Sequence, residues 1–249
     1  MSDVVCVIPA RYASTRLPGK PLLDLGGKPL IQWVYEKAEK CRNVSETWVA
    51  TDDRRIFGAV RDFGGKAVMA TGDFRSGTDR ISHVVKDMDC RFVVNLQGDE
   101  PMMDPDTVDR AIEALASDSS YDVSTAMVRI HSEEEYLCPS AVKVVCDRNG
   151  RALYFSRSPI PSLSRADDRP EYEEFFGWKH LGLYVYTRKS IVDFPGLQPT
   201  FLEKLEQLEQ LRFLENGYSI RVIETEHDSV GVDTRKDLDV LRNQLKQGK

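Results

Sequence analysis

The chain of 249 residues predicts an α/β fold of three layers, a mostly parallel sheet with helices on both faces. Short apolar runs such as Val4–Ile8 and Phe92–Leu96 read as buried strands. Longer amphipathic stretches follow them at helical spacing. Polar, charge-bearing segments come next after most strands, where ligands gather in an open α/β sheet.

Val4–Ile8 is the first strand, and Pro29–Arg42 the helix that follows it. Thr47–Ala50 with Arg54–Phe63 repeats the pair, then Lys66–Met69 with Gly77–Asp87, then Phe92–Leu96 with Pro105–Ser117. Asp104 before Pro105 supplies an N-cap and a proline at the first helical position. The alternation then fails. Val123–Val128, Val142–Cys146 and Leu183–Tyr186 are strands, while Ser156–Phe176, rich in Ser, Pro, Arg and Asp, predicts a long loop or inserted hairpin. Phe201–Glu215 is a helix, Ile220–Ile223 a strand and Thr234–Leu245 the last helix, with Thr234 and Asp237 forming a near relative of the capping box. No repeat, low-complexity linker or break in composition interrupts the chain. The reading is one domain over residues 1–249 with an embellishment at about 123–186.

With 34 basic against 40 acidic residues the net charge is −6, so no general cationic field is available for nucleic acid. The five cysteines are scattered, with no pair at metal-ligand spacing. No apolar run approaches membrane-spanning length, and no leader pattern opens the sequence. A reducing cytoplasm and no membrane partner are the expectation.

Against that acidic balance, "IPARYASTRLPGK" from Ile8 to Lys20 carries three cations, Arg11, Arg16 and Lys20, and one glycine, Gly19. It is neither a Walker A loop nor GxGxxG, in which several glycines let backbone N–H groups cradle phosphate. Arginine offers bidentate contacts and lysine a point charge, so the loop suits a triphosphate or pyrophosphate. The alternative is a solvated loop whose arginines pair with acids, and from this stretch alone the two readings stand level. "QGDEP" tips the balance. It follows the strand "FVVNL", which fixes Asp99 just beyond a strand end, where a Mg²⁺ ligand facing a phosphate loop belongs. Asp233 in "GVDT" is a second candidate, since Thr234 already serves as the N-cap. Glu100 is more doubtful, because acids after strands are common.

"RSGTDR" enters a helix and offers Ser76, Gly77 and Thr78 to an anion, or plain N-capping, on equal terms. His180, Tyr184 and Tyr186 in "KHLGLYVY" share one face of a strand, although a histidine among apolar residues is more often a satisfied core residue. Leu202, Leu205, Leu208 and Leu211 give an amphipathic helix whose Glu206, Glu209 and Gln210 read as solvated surface.

In order along the chain, "IPARYASTRLPGKPL", "VATDD", "SGTDR", "NLQGDEP", "ALYFSRSPIP", "KHLGLYVY", "LEQLR" and "GVDT" resemble the 3-deoxy-manno-octulosonate cytidylyltransferase (CMP-Kdo synthetase) family. The resemblance spans Val4 to about Leu241. It implies a nucleotide-diphosphosugar transferase, Rossmann-like fold with an inserted β-rich dimerisation region. It also implies CMP transfer from CTP to Kdo with Mg²⁺, a homodimer, a bacterial cytoplasm and a role in lipopolysaccharide synthesis. Carried over residue by residue, Arg11, Arg16 and Lys20 match the triphosphate clamp, with Arg11 and Lys20 in catalysis. Ser76, Gly77 and Thr78 match the nucleotide stretch, Asp99 and Asp233 the Mg²⁺ carboxylates, and Gln97, Arg157, His180, Tyr184, Glu209 and Gln210 the Kdo side. The last two replace the surface reading given above, which stands for Glu206. Segment Ser162–Phe175 departs from the family in being more acidic and less regular, so a modified Kdo of the 8-amino type stays open. A sialic-acid cytidylyltransferase is the rival within enzymes. A non-catalytic nucleotide-binding protein is the rival outside them, and it is disfavoured because both Asp99 and Asp233 are present.

Overall fold

The structure, a computed structural model, describes residues 3–13, 17–163, 175–229 and 231–246. In chain order the elements are β1 (Val4–Ala10), β2 (Asp24–Leu25), β3 (Lys28–Pro29), α1 (Leu30–Ala38), β4 (Glu46–Thr51), α2 (Arg54–Asp62), β5 (Ala67–Met69), α3 (Gly77–Val85), β6 (Phe92–Leu96), α4 (Pro105–Ser117), β7 (Val123–Ile130), α5 (Glu133–Leu137), β8 (Lys143–Cys146), β9 (Ala152–Ser156), β10 (Gly177–Thr187), α6 (Arg188–Asp193), α7 (Phe201–Glu206), α8 (Gln210–Glu215), β11 (Ile220–Thr225) and α9 (Arg235–Lys246).

The main sheet has the order β11-β7-β10-β6-β1-β4-β5. Every strand on this path except β10 runs in one direction, and β10 is antiparallel to both β6 and β7. The failure of the strand–helix alternation therefore has a concrete form: one reversed strand is inserted between parallel neighbours. The strands β8 and β9 form a side branch on β10.

β1 shows why helices cover both faces. All its residues are buried. Its Val4, Cys6, Ile8 and Ala10 pack with apolar side chains of α1, α2 and α4, whereas Val5 and Val7 pack with those of α3, α6 and α8. A strand with period two and both faces covered must read as a continuous apolar run. A third, smaller core joins Leu17, Leu25 and Leu30 to Val232, Leu238 and Leu241. It folds α9 back onto the β2–β3 ribbon, and so returns the end of the chain to the first loop.

Three expectations need correction. The stretch Phe201–Glu215 is two helices, broken at Gln207, whose φ of 55° lies in the left-handed region. Leu205 is 66% exposed, although Leu208 and Leu211 are buried as the spacing suggested. Glu206 is a partner of β9, not solvated surface: it accepts from Ser156 Oγ at 2.6 Å and from the Arg157 N–H at 2.8 Å. The caps behave as read. Asp104 accepts from the Thr107 N–H at 2.8 Å, and Thr234 and Asp237 bond each other's backbone N–H.

Candidate active site

The parallel strands end on one edge, and β1 and β6 end almost in contact there. A Cβ on Gly98 would lie 2.9 Å from the Pro9 carbonyl oxygen, so the residue between Gln97 and Asp99 has to be glycine. A Cβ on Gly77, the first residue of α3, would meet the Pro9 ring at 3.2 Å. The start of α3 thus sits directly on the turn that carries Gln97 and Asp99.

The first loop is shaped by its own contacts. The Gly19 N–H donates to the Tyr12 carbonyl at 2.9 Å with φ of 69°, and the Arg55 guanidinium stacks 3.3 Å from the centre of the Tyr12 ring. Arg11 is exposed just beyond β1. Lys20 points inward. Its Nζ donates to Asp99 Oδ2 at 2.6 Å and to Asp233 Oδ1 at 3.3 Å. Arg16 lies outside the described residues, as do residues 164–174 of the acidic segment.

One ammonium held by Asp99 and Asp233 shows that the two aspartates face a common cation position. Among the described residues no group of three or more His, Cys, Asp or Glu gathers to hold a metal. Zn²⁺ or a closed Ca²⁺ cage would need such a group. Two carboxylates beside a cation-bearing loop are a donor set that Mg²⁺ can use, since it takes its other ligands from phosphate and water.

The second half of the site comes from β10. Because this strand is reversed, its beginning lies beside the ends of its neighbours, with Tyr184 opposite Asn95 and Leu183 opposite Leu96. The register slips between His180 and Tyr184. That bulge draws two residues four apart in sequence together, so that their ring centres are 5.2 Å apart. Tyr184 also stacks on Tyr186 at 5.8 Å. The Thr125 hydroxyl lies 2.5 Å from the Leu183 carbonyl and 2.8 Å from His180 Nε2. Its single hydrogen goes to the carbonyl, so Nε2 is the donor and Nδ1 keeps its lone pair. The apolar surroundings, with Phe155 edge-on at 5.0 Å, push the His180 pKa down to about 3. Burial, and after it Tyr186 and Glu209, raise the Tyr184 pKa well above its ordinary value.

Glu209 and Gln210 start α8 and turn inward. Burial raises the Glu209 pKa, while hydrogen bonds from Thr78 and Ser76 pull it back. Ser76 also caps α3 by accepting from the Asp79 N–H at 3.2 Å. The nucleotide-side and sugar-side residues named from sequence therefore meet at the start of α3. Gln210 Nε2 is buried with no hydrogen-bond partner among the described residues. Gln97 donates from Nε2 to Asn95 Oδ1 at 3.0 Å, which turns its own carbonyl oxygen away from Asn95.

The Arg157 side chain is engaged by backbone carbonyls. Its guanidinium donates to the carbonyls of Glu206 at 2.8 Å, Pro139 at 3.1 Å and Gln207 at 3.3 Å. In this arrangement it ties the end of α7 to the Pro139 and Gln207 backbone. Lys143 works beside it, fully buried, donating to the carbonyls of Cys138, Ala141 and Arg157 at 2.9, 2.6 and 2.8 Å. Sequence reasoning missed Lys143 and Asn95. Each had a signal: a polar residue inside an apolar strand, "VKVVC" and "FVVNL".

A family profile described as Cytidylyltransferase matches residues 5–223. The 3-deoxy-manno-octulosonate cytidylyltransferase of Geotalea daltonii is 49% identical over 98% of each chain, and that of Syntrophus aciditrophicus is 50% identical over 98% of each. Among solved structures, a CMP:2-keto-3-deoxy-manno-octonic acid synthetase complexed with CTP superposes with a TM-score of 0.92, at 44% identity and full coverage of both chains.

Proposed function

The chain belongs to the cytidylyltransferase family, and on that premise we propose that it transfers CMP from CTP to the C2 hydroxyl of 3-deoxy-manno-octulosonate, Kdo, releasing pyrophosphate. The observation that carries this reading is the meeting of Lys20, Asp99 and Asp233 at the strand ends, beside a face of His180, Tyr184 and Glu209.

Transfer at phosphorus is mainly positioning and charge stabilisation. Arg11 and Lys20 stand on the loop that would face the triphosphate, and a bound cation between the aspartates would release Lys20 toward phosphate. Mg²⁺ is the cofactor we assign to Asp99 and Asp233. When bound there, it would neutralise phosphate oxygens and lower the pKa of the attacking hydroxyl. The start of α3, with Ser76, Gly77 and Thr78, offers donors to the nucleotide. His180 Nδ1, the Tyr184 hydroxyl and the Gln97 carbonyl oxygen suit a polyhydroxylated sugar, which presents many O–H donors. Gln210 Nε2 supplies a donor that still needs an acceptor. Arg157 can take the sugar carboxylate only by leaving the Pro139 and Gln207 carbonyls.

The reading extends to the setting of the reaction. A homodimer through the 123–186 region accords with Leu137 and Leu153, which are 55% and 59% exposed there. A cytoplasmic site and a supply of activated Kdo for lipopolysaccharide are part of the same proposal. The test is pyrophosphate release from CTP with a panel of sugar acids, with and without Mg²⁺. Release with Kdo and Mg²⁺ is expected. Release with a sialic acid and none with Kdo would refute the substrate, and undiminished release after chelation would refute the cofactor.

A further inference from the structure

We propose that Glu100 is a positioning residue: its carboxylate latches the segment that carries Asp233 and so sets Asp233 against Asp99. This rests on the reading that the two aspartates share a divalent cation.

Asp233 stands between β11 and α9, on a stretch outside both elements. Such a stretch cannot aim a side chain by itself. Three contacts tie it to the end of β6. The Val232 N–H donates to the Asp99 carbonyl at 2.8 Å. The Ser229 hydroxyl donates to Glu100 Oε2. Gly231 packs on the same carboxylate, so that a Cβ there would lie 3.3 Å from Glu100 Oε1. Two of the three contacts therefore go to Glu100. Ser229 is only 8% exposed, which keeps water from competing for its bond.

The other side of Glu100 is fixed as well. A Cβ on Gly182, within the β10 bulge, would come 3.0 Å from the same Oε1. The carboxylate is thus wedged between two glycines, one on the bulge that sets His180 against Tyr184 and one on the segment that carries Asp233. Lys179 extends the anchorage, since its Nζ holds Asp228 and Glu135, each at 2.5 Å. One oxygen of Glu100 is engaged by Ser229 and the other faces the two glycines. Lys20 bonds Asp99 and Asp233 but not Glu100 among the described contacts. That geometry is support for the pair, not a third ligand. Mg²⁺ tolerates little distortion, so a small shift of one carboxylate should be felt in its affinity.

The experiment measures Mn²⁺ binding to the nucleotide-free protein by the loss of the free-ion electron paramagnetic resonance signal, with Mn²⁺ standing in for Mg²⁺. Glu100→Ala and Ser229→Ala should each weaken binding about 10-fold or more, the usual cost of removing a support behind a metal ligand. Glu100→Gln keeps the shape and an oxygen for the Ser229 hydroxyl, and should bind Mn²⁺ as the wild type does. The double alanine variant should be no weaker than the worse single one. If Glu100→Gln is as weak as Glu100→Ala, Glu100 is a ligand and the proposal fails. It also fails if Glu100→Ala binds normally, or if the two alanine losses multiply. Ser229→Ala removes a single hydroxyl and keeps the test readable should Glu100→Ala not fold. Asp99→Asn separates the two levels: unchanged Mn²⁺ binding there removes the shared-cation reading itself, whereas loss there with normal binding by Glu100→Ala removes only the latch.

Discussion

At Lys20 two carboxylates far apart in the sequence, Asp99 and Asp233, meet one ammonium, at 2.6 and 3.3 Å. Two residues that serve one cation should not act independently. Asp99→Asn and Asp233→Asn are each expected to lose most of the turnover at saturating Mg²⁺, and the double variant to be little worse than the worse single one. Initial rates of pyrophosphate release measure this, and losses that multiply would mean separate roles. His180 gives a different kind of prediction. It resists protonation down to about 3, against an ordinary value of 6.5, so between those values the unfolded chain binds more protons than the folded one. Its contribution to stability is present above about pH 6.5 and falls as the pH drops, by up to about 1.4 kcal/mol per pH unit. Urea midpoints at pH 7 and pH 5 should fall more for the wild type than for His180→Gln, and equal falls would show that the ring titrates normally. Of the residues named from sequence, Asp99 and Asp233 were legible because each follows an apolar run and precedes a turn or helix start. The tie of Arg157 to backbone carbonyls was not, because it depends on where α7 ends.

α7 and α8 show how a tertiary contact overrides a periodic pattern. Leucines at a three-residue spacing continue through the stretch, and nothing local forbids one helix. The break at Gln207 is held by long-range partners instead. Arg157 takes the carbonyls of Glu206 and Gln207, and Glu203 and Arg212, 8% and 5% exposed, pair across the break at 2.8 and 2.5 Å. This break is what turns Glu209 and Gln210 inward. Removing one member of a buried pair strands the other, so Glu203→Ala should cost about 3–5 kcal/mol in urea unfolding. A loss under about 1 kcal/mol would put the pair in the class of exposed ion pairs. By contrast, β6 and α4 have their predicted bounds, because an uninterrupted apolar run and an Asp–Pro start mark them locally. β9 escaped because "ALYFS" is short and finds its partner only in β8.

Across the whole molecule, one reversed strand and one returning helix assemble the site. β10 sets the His180 and Tyr184 rings beside the ends of the parallel strands, and α9 brings Asp233 to the first loop through the small core around Leu238. The layering was legible from alternation, but the insertion of β10 between β6 and β7 was not, since pairing order is set by contacts far apart in sequence. The central claim concerns which bond forms: oxygen on C2 of the sugar acid to the α-phosphorus of CTP. It is tested most directly by running the reaction with Kdo labelled with ¹³C at C2 and reading the carbon spectrum of the product. A C2 signal split by phosphorus, with pyrophosphate released in equal amount, is the expected result. Pyrophosphate released while the C2 signal stays that of free Kdo would mean that water, not the sugar acid, attacks CTP, and would contradict it.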